Sequence, residues 1–399
     1  MMRRLIQSFF TFVFLLLPAS AFTQNLPAWG SQVTQWIQNG GVYAEGANGK
    51  TLFDYQGNTS FMPASTLKLV TGLASLELLG KDYRFKTDFY MDHAGNLYVK
   101  GYGDPYLVSE ELDQISGLLK SKGVKNVAAI ILDPSYFEEI KVPGVSASLN
   151  PYDALNSALS ANFNTIFVNK KGAQVESAEA QTPMTDLTRT LAEKAPQGKS
   201  RINLAAHPDE SLLYVGHLLK AFLEVQGIKV SGPVQKGLVK GDARLIYQHV
   251  SSKSLEQVVQ AMMKYSTNFI ANQLFLTIGA EKMGPPASLA KGKKVVTEFL
   301  KTKLNLTDFN IEEGSGISRQ NKITPYQLVK VLRAFEKYKN LLPEKLDNIL
   351  AKTGTLNGVS CLAGFFNSGP HQEVRFSILL NQNQGNREKV ARALYDNLH

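Results

Sequence analysis

Three short strings in this chain of 399 residues carry residue types that can do chemistry together. In chain order they are Ser65-Thr66-Leu67-Lys68, Ser266-Thr267-Asn268 and Lys352-Thr353-Gly354. A serine hydroxyl attacks a carbonyl only by giving up its proton, so it needs a base within hydrogen-bond reach. Residues three apart on a helix share a face, which puts Lys68 one turn from Ser65. A lysine serves as a base only when its pKa is lowered, and burial with a second cation nearby does that. Lys352 can supply the second charge. Ser266 can pass a proton to a leaving amine, and Asn268 completes that string. Lys352 and Thr353 can hold a substrate carboxylate. The N–H groups of Ser65 and of a strand near Thr355 can form an oxyanion hole.

Taken singly, each string is weak. S-x-x-K recurs at Ser288-Leu289-Ala290-Lys291, and S-x-N recurs at Ser148-Leu149-Asn150 and Ser160-Ala161-Asn162. A plain helix cap is the bland role for Ser65, and a solvated surface position is the bland role for Lys68. Context separates the copies. Ser65 opens a run that is apolar at 67, 69, 70, 73, 74, 76, 78 and 79. That period is helical and covers more than one face, which marks a buried helix, and Gly80 stops it. Ser288 lies in a loop over 282–292 with Met283-Gly284-Pro285-Pro286. Lys352-Thr353-Gly354 occurs once and precedes two strands, Val359 to Phe366 and Glu373 to Asn381, joined by Asn367-Ser368-Gly369-Pro370.

The elements that must position these residues follow from the same patterns. Val42 to Tyr55 reads as a hairpin around Asn48-Gly49. Residues 84–101 alternate as strands around a turn at 92–96; a helix over 109–121 and a strand over 127–132 follow. From there to about 245 the pattern is irregular, with a loop-rich stretch at 181–200. Helices are expected over 254–278 (interrupted at 265–268), 293–303, 326–338 and 386–398. The fold class is therefore α/β (α+β), with catalytic parts at 22–83 and 247–399 and an inserted module at 84–246.

Residues 1–21 read as a secretory signal: basic Arg3 and Arg4, an apolar run from Leu5 to Leu17, then Pro18-Ala19-Ser20-Ala21 before cleavage. The apolar run is short beside the roughly 20 residues of a bilayer span. The formal charge is +9, and losing Arg3 and Arg4 with a leader that holds no acid leaves +7. Export argues against nucleic acid as the partner of that charge; acidic envelope polymers, or peripheral membrane contact, suit it better. The lone Cys361 sits in an apolar strand-like run and reads as a buried structural thiol. His93, His207, His217, His249, His371 and His399 show no metal spacing and read as surface or loop residues. There is no G-x-S-x-G elbow. Neither a metal nor a cofactor is implied.

The motifs extend beyond three. Pro63-Ala64-Ser65-Thr66-Leu67-Lys68, Gly101-Tyr102-Gly103-Asp104-Pro105, Asp133-Pro134-Ser135-Tyr136-Phe137 with Pro143-Gly144, Gly227-Ile228-Lys229-Val230-Ser231-Gly232, Gly314-Ser315-Gly316-Ile317-Ser318-Arg319 and Lys352-Thr353-Gly354-Thr355-Leu356 stand in order. This string resembles the class C low-molecular-mass penicillin-binding proteins, the penicillin-binding protein 4 type. The resemblance implies a penicillin-binding, transpeptidase-like (β-lactamase-like) domain with its insert between the first two motifs. It implies a serine D-Ala-D-Ala carboxypeptidase or endopeptidase of the periplasm. Such an enzyme acts on peptidoglycan peptides, and β-lactam antibiotics inhibit it covalently. It also implies a pocket for diaminopimelate in which Asp133 meets the ammonium, framed by Arg319 and Asn357. Thr267 and Glu313 stand where the family commonly has Asp. The insert is shorter than usual, and no D-G-T/S-L…R segment appears between Arg319 and Lys352. A β-lactamase-like hydrolase and a non-catalytic wall-binding module are the other classes that the same motifs admit; turnover of a D-Ala-D-Ala peptide separates them.

Overall fold

The computed structural model describes residues 26–204, 208–366 and 374–398. The expected leader, the joining segment 367–370, and His207, His371 and His399 lie outside the described residues.

Both ends of the chain build one antiparallel sheet of six strands. Its order is Glu344–Leu346, Ile349–Leu356, Val359–Phe366, Arg375–Leu380, Gly40–Glu45, Thr51–Tyr55. Side chains alternate across a strand, and Val359–Phe366 uses both faces. Cys361, Ala363 and Phe365 pack into a core shared with the helices Lys68–Leu79, Leu255–Tyr265, Asn268–Met283 and Pro325–Phe335. Leu362 and Phe366 pack on the other side with the closing helix Arg387–Asn397. With both faces covered, the strand has no polar side to show, hence its continuous apolar run. Burial pushes the Cys361 thiol up to about 12, as suits a structural cysteine. The strand Ile349–Leu356 turns into it through Asn357-Gly358, with Gly358 at φ +71°. Lys352-Thr353-Gly354 therefore lies inside a strand rather than ahead of one.

A second sheet of five strands runs Val234–Lys236, Ile130–Asp133, Leu97–Gly101, Lys86–Met91, Arg244–Val250. The helices Ser109–Ser121 and Pro208–Val225 pack against it. The expected boundary at 246 falls inside its last strand, which pairs with Lys86–Met91 along its length. The stretch expected to be irregular is ordered in two ways. Leu212, Val215, Leu218, Leu219 and Phe222 give Pro208–Val225 a helical apolar face. Thr165–Lys171 pairs with Gln174–Ser177 and Gly198–Asn203 in a small antiparallel sheet. The 181–200 stretch contains the helix Asp186–Ala192, capped by Thr185. His249 is not a surface residue: it is buried in the strand Arg244–Val250, with Nε2 2.8 Å from Glu111.

Candidate active site

Ser65 lies in a tight helical turn, Ala64–Leu67, that runs directly into the helix Lys68–Leu79. Its side chain caps nothing. Ala64, fully buried, has φ +47°, a left-handed conformation that costs a non-glycine residue energy. The other S-x-x-K copy takes the bland role. Ser288 caps the helix Leu289–Leu304 by accepting from Lys291 N, and Lys291 Nζ donates to Gly284 O and Pro286 O. That cap starts the helix one turn earlier than the apolar pattern indicates.

Lys68 is fully buried, and its Nζ is 2.8 Å from Ser65 Oγ. Two other partners are carbonyl oxygens: Asn268 Oδ1 at 2.7 Å and Ser315 O at 2.8 Å. Neither can donate. A neutral amine has two N–H groups and one lone pair; with both N–H groups taken by carbonyls, the lone pair is left for the serine proton. Burial brings the Lys68 pKa down to about 7, against an opposing pull from the Glu313 carboxylate.

Lys352 Nζ donates to Ser266 Oγ at 2.7 Å and to its neighbour's carbonyl, Thr353 O, at 2.8 Å. Burial and then the charge of Lys68 bring it down to about 6. Burial is the larger cause for both lysines, and the charge of each disfavours the ammonium form of the other. Ser266 ends the helix Leu255–Tyr265 in a left-handed conformation, φ +57°, usually left to glycine. Asn268 opens the next helix, so the short break between helices aims both residues inward.

Gly354 has a steric reason to be glycine. A Cβ there would lie 2.7 Å from Pro63 O and 3.0 Å from Ser65 N, so the strand backbone crosses directly over the serine turn. Thr353 is half-buried and Thr355 exposed, on the strand face opposite Lys352 and Gly354. The Thr355 hydroxyl meets Arg387 Nη1 at 2.7 Å, and the same nitrogen donates to Gly354 O at 2.9 Å.

The expected pocket residues differ in exposure. Arg319 and Asn357 are both exposed and meet, Arg319 Nη2 donating to Asn357 O at 2.6 Å. Asp133 is only 1% exposed. It accepts from Ser135 N at 2.9 Å and Val239 N at 3.0 Å, and Lys100 Nζ is 3.7 Å away. Burial alone would raise its pKa; those hydrogen bonds and Lys100 outweigh it and hold the carboxyl below the usual range. These bonds end a strand and cap a turn, a structural role that the carboxyl fills in this structure.

Sequence reasoning noted Glu313 only as a departure from the family's Asp and gave it no role in the site. Glu313, fully buried, accepts from Ser315 N, Ser315 Oγ, Gly316 N, Ser318 N and Asn321 Nδ2. It folds the loop that presents Ser315 O to Lys68. Thr71 Oγ1 donates to Gly314 O at 2.6 Å and Asn272 Oδ1 accepts from Gly314 N at 2.7 Å, which ties the loop to two helices. The available signal was an acid directly before Gly314-Ser315-Gly316.

The arrangement is that of the penicillin-binding, transpeptidase-like proteins. A sequence model described as the D-Ala-D-Ala carboxypeptidase 3 (S13) family matches residues 34–190, 174–346 and 343–398, and the chain belongs to that family. It is a peptidase of the class C low-molecular-mass penicillin-binding group. A D-alanyl-D-alanine carboxypeptidase of an Actinomadura species is 28% identical over 423 residues, covering 87% of this chain and 78% of the relative. The crystal structure of penicillin-binding protein 4 from Haemophilus influenzae superposes with a TM-score of 0.76 at 24% identity, covering 92% of this chain and 98% of that one. The same protein complexed with a novel β-lactam gives a TM-score of 0.70, with the same identity and coverage. These two likenesses concern the fold.

Proposed function

We propose that the protein trims or cuts D-alanyl peptides of peptidoglycan through an acyl-enzyme on Ser65, and that β-lactams acylate the same atom. The observation that carries this is the Lys68 amine, buried, 2.8 Å from Ser65 Oγ, with two carbonyls on its other side. Neutral Lys68 takes the Ser65 proton as Oγ attacks the carbonyl of the penultimate D-Ala. The N–H of Ser65 and a strand N–H near Thr355 receive the developing oxyanion. Ser266, held by Lys352, delivers its proton to the departing D-Ala amine and is reprotonated at the expense of the Lys68 ammonium, so Lys68 is again a free base when water attacks. Water then releases the acyl group by the reverse path.

Lys352, helped by Thr353, holds the terminal carboxylate. A bound carboxylate favours the ammonium form, which restores the charge that burial and Lys68 suppress. Arg319 and Asn357, exposed and in contact, meet the substrate side chain in this reading, and the Arg fork can grip its carboxylate.

We place the mature enzyme in the periplasm on the strength of residues 1–21. No helix among the described residues is long and apolar enough to cross a membrane. The test is release of D-Ala from a pentapeptide by the wild type and by Ser65→Ala. Release by the wild type alone supports the reading, and equal release by both refutes it.

A further inference from the structure

Most groups around Lys68 come from the six-stranded sheet and its helices. One contact comes from the module between the first two motifs. Asn268 turns its Oδ1 to Lys68, and its Nδ2 donates to Tyr152 O at 3.3 Å. Tyr152 belongs to a short loop, 146–153, that is braced from within. Asp153, 7% exposed, accepts from Ser146 N at 3.2 Å, Ser146 Oγ at 2.7 Å and Ser148 Oγ at 2.6 Å. Asn150 Oδ1 accepts from Tyr152 N at 2.9 Å. Asn203 donates to Ser148 O and Asn150 O. The spare S-x-N string at Ser148-Leu149-Asn150 thus has work in this brace. Just beyond it the chain is pinned to the same helix: Asn156 Nδ2 donates to Phe269 O at 2.9 Å, and Gln273 Nε2 donates to Ser157 O at 2.9 Å and Gly103 O at 3.1 Å.

An amide has two ends of similar shape and opposite hydrogen-bonding sense. If Asn268 flipped, an N–H would point at the Lys68 lone pair, occupying the base and repelling its ammonium form. The Tyr152 carbonyl is an acceptor at the far end that matches only the active orientation. We propose that loop 146–153 is a positioning element of the active site, in which Asp153 holds the loop so that the Tyr152 carbonyl fixes the Asn268 amide. This rests on the acyl-enzyme reading above and assigns the inserted module a part in it.

The consequence is a signature in pH. The charged and titratable groups around Lys68 are Glu313 from the 313–321 loop and Lys352 from the strand; Asn268 is the neutral acceptor from the helix. Losing that acceptor disfavours the ammonium, so the Lys68 pKa falls and the acid limb of acylation moves to lower pH. The plateau falls too, because flipped molecules carry a blocked base.

The test is the pH profile of acylation by benzylpenicillin for wild type, Asp153→Ala, Asp153→Asn and Ser148→Ala. Asp153→Ala should lower the plateau about ten-fold, the scale of one lost hydrogen bond at a charged group, and shift the acid limb down. Asp153→Asn keeps an acceptor and offers serine hydroxyls a donor, so it should restore most of both. Should Asp153→Ala not fold, Ser148→Ala removes one brace and should give a smaller shift in the same direction. An unchanged profile in the folded variants, or a fall in plateau with a fixed acid limb, overturns the proposal. Failure of the wild type to be acylated at Ser65 is a separate outcome that defeats the acyl-enzyme reading first.

Discussion

Glu313→Gln isolates what the buried carboxylate does. One oxygen of Glu313 accepts from Gly316 N, Ser318 N and Asn321 Nδ2, and the other from Ser315 N and Ser315 Oγ. A glutamine amide must put its NH2 at one of these places. On the first oxygen it would face three donors, of which two are backbone N–H groups that cannot accept and only the Asn321 amide can reverse, by a flip. On the second it faces one backbone N–H and one hydroxyl, and the hydroxyl can turn to accept. The second arrangement is therefore favoured and strands a single buried N–H, at a cost of about 1–3 kcal/mol. In a chain this long that is a fall in Tm of about a few degrees. Activity carries an independent sign. Glu313 raises the Lys68 pKa, so removing its charge lowers it. Free base then persists to lower pH, and the acid limb of acylation, expected near pH 7 in the wild type, moves down. Differential scanning fluorimetry and a pH series of acylation rates read the two effects separately. A variant with wild-type Tm, or an acid limb that stays put or moves up, refutes the role given to this carboxylate.

Lys68→Ala should lower the acylation rate by about 10²–10⁴-fold, the usual range for a general base, whereas Lys291→Ala, in the other S-x-x-K copy, should leave it unchanged; stopped-flow acylation decides. Gly354→Ala places a methyl against Pro63 O and Ser65 N; overpacking of this kind costs about 1–3 kcal/mol, and the acylation rate should fall more than the Tm suggests because the displaced backbone includes the serine turn. Asp133→Ala strands the N–H groups of Ser135 and Val239. It should lower Tm and reduce turnover of a diaminopimelate peptide and acylation by a simple penicillin together; a selective loss on the diaminopimelate peptide would return Asp133 to the substrate pocket.

What was legible in the sequence is what local spacing encodes. Ser65 and Lys68 lie one turn apart and Ser266 and Asn268 span a helix break, so each pair needs only its own element to be aligned. Asn357-Gly358 was equally legible as a hairpin turn and would have put Lys352 inside its strand. The long-range partners were not legible. Arg387 matters because the closing helix brings it to Gly354 O, and Tyr152 because its backbone, not its side chain, makes the contact; Glu313 is a local case, whose donors at 315–321 converge on it only once the loop has folded. At Asp133 the motif was legible, but its burial and the two backbone N–H groups that bond its oxygens leave no trace in the spacing.

The central claim, that Ser65 forms the acyl-enzyme, is tested most directly by mass spectrometry of the purified protein after exposure to benzylpenicillin, with peptide mapping of the adduct. The account predicts one drug mass per chain, carried by the peptide that contains Ser65 and absent from Ser65→Ala. A label on Ser288 or Cys361, or no adduct on a folded chain, contradicts it.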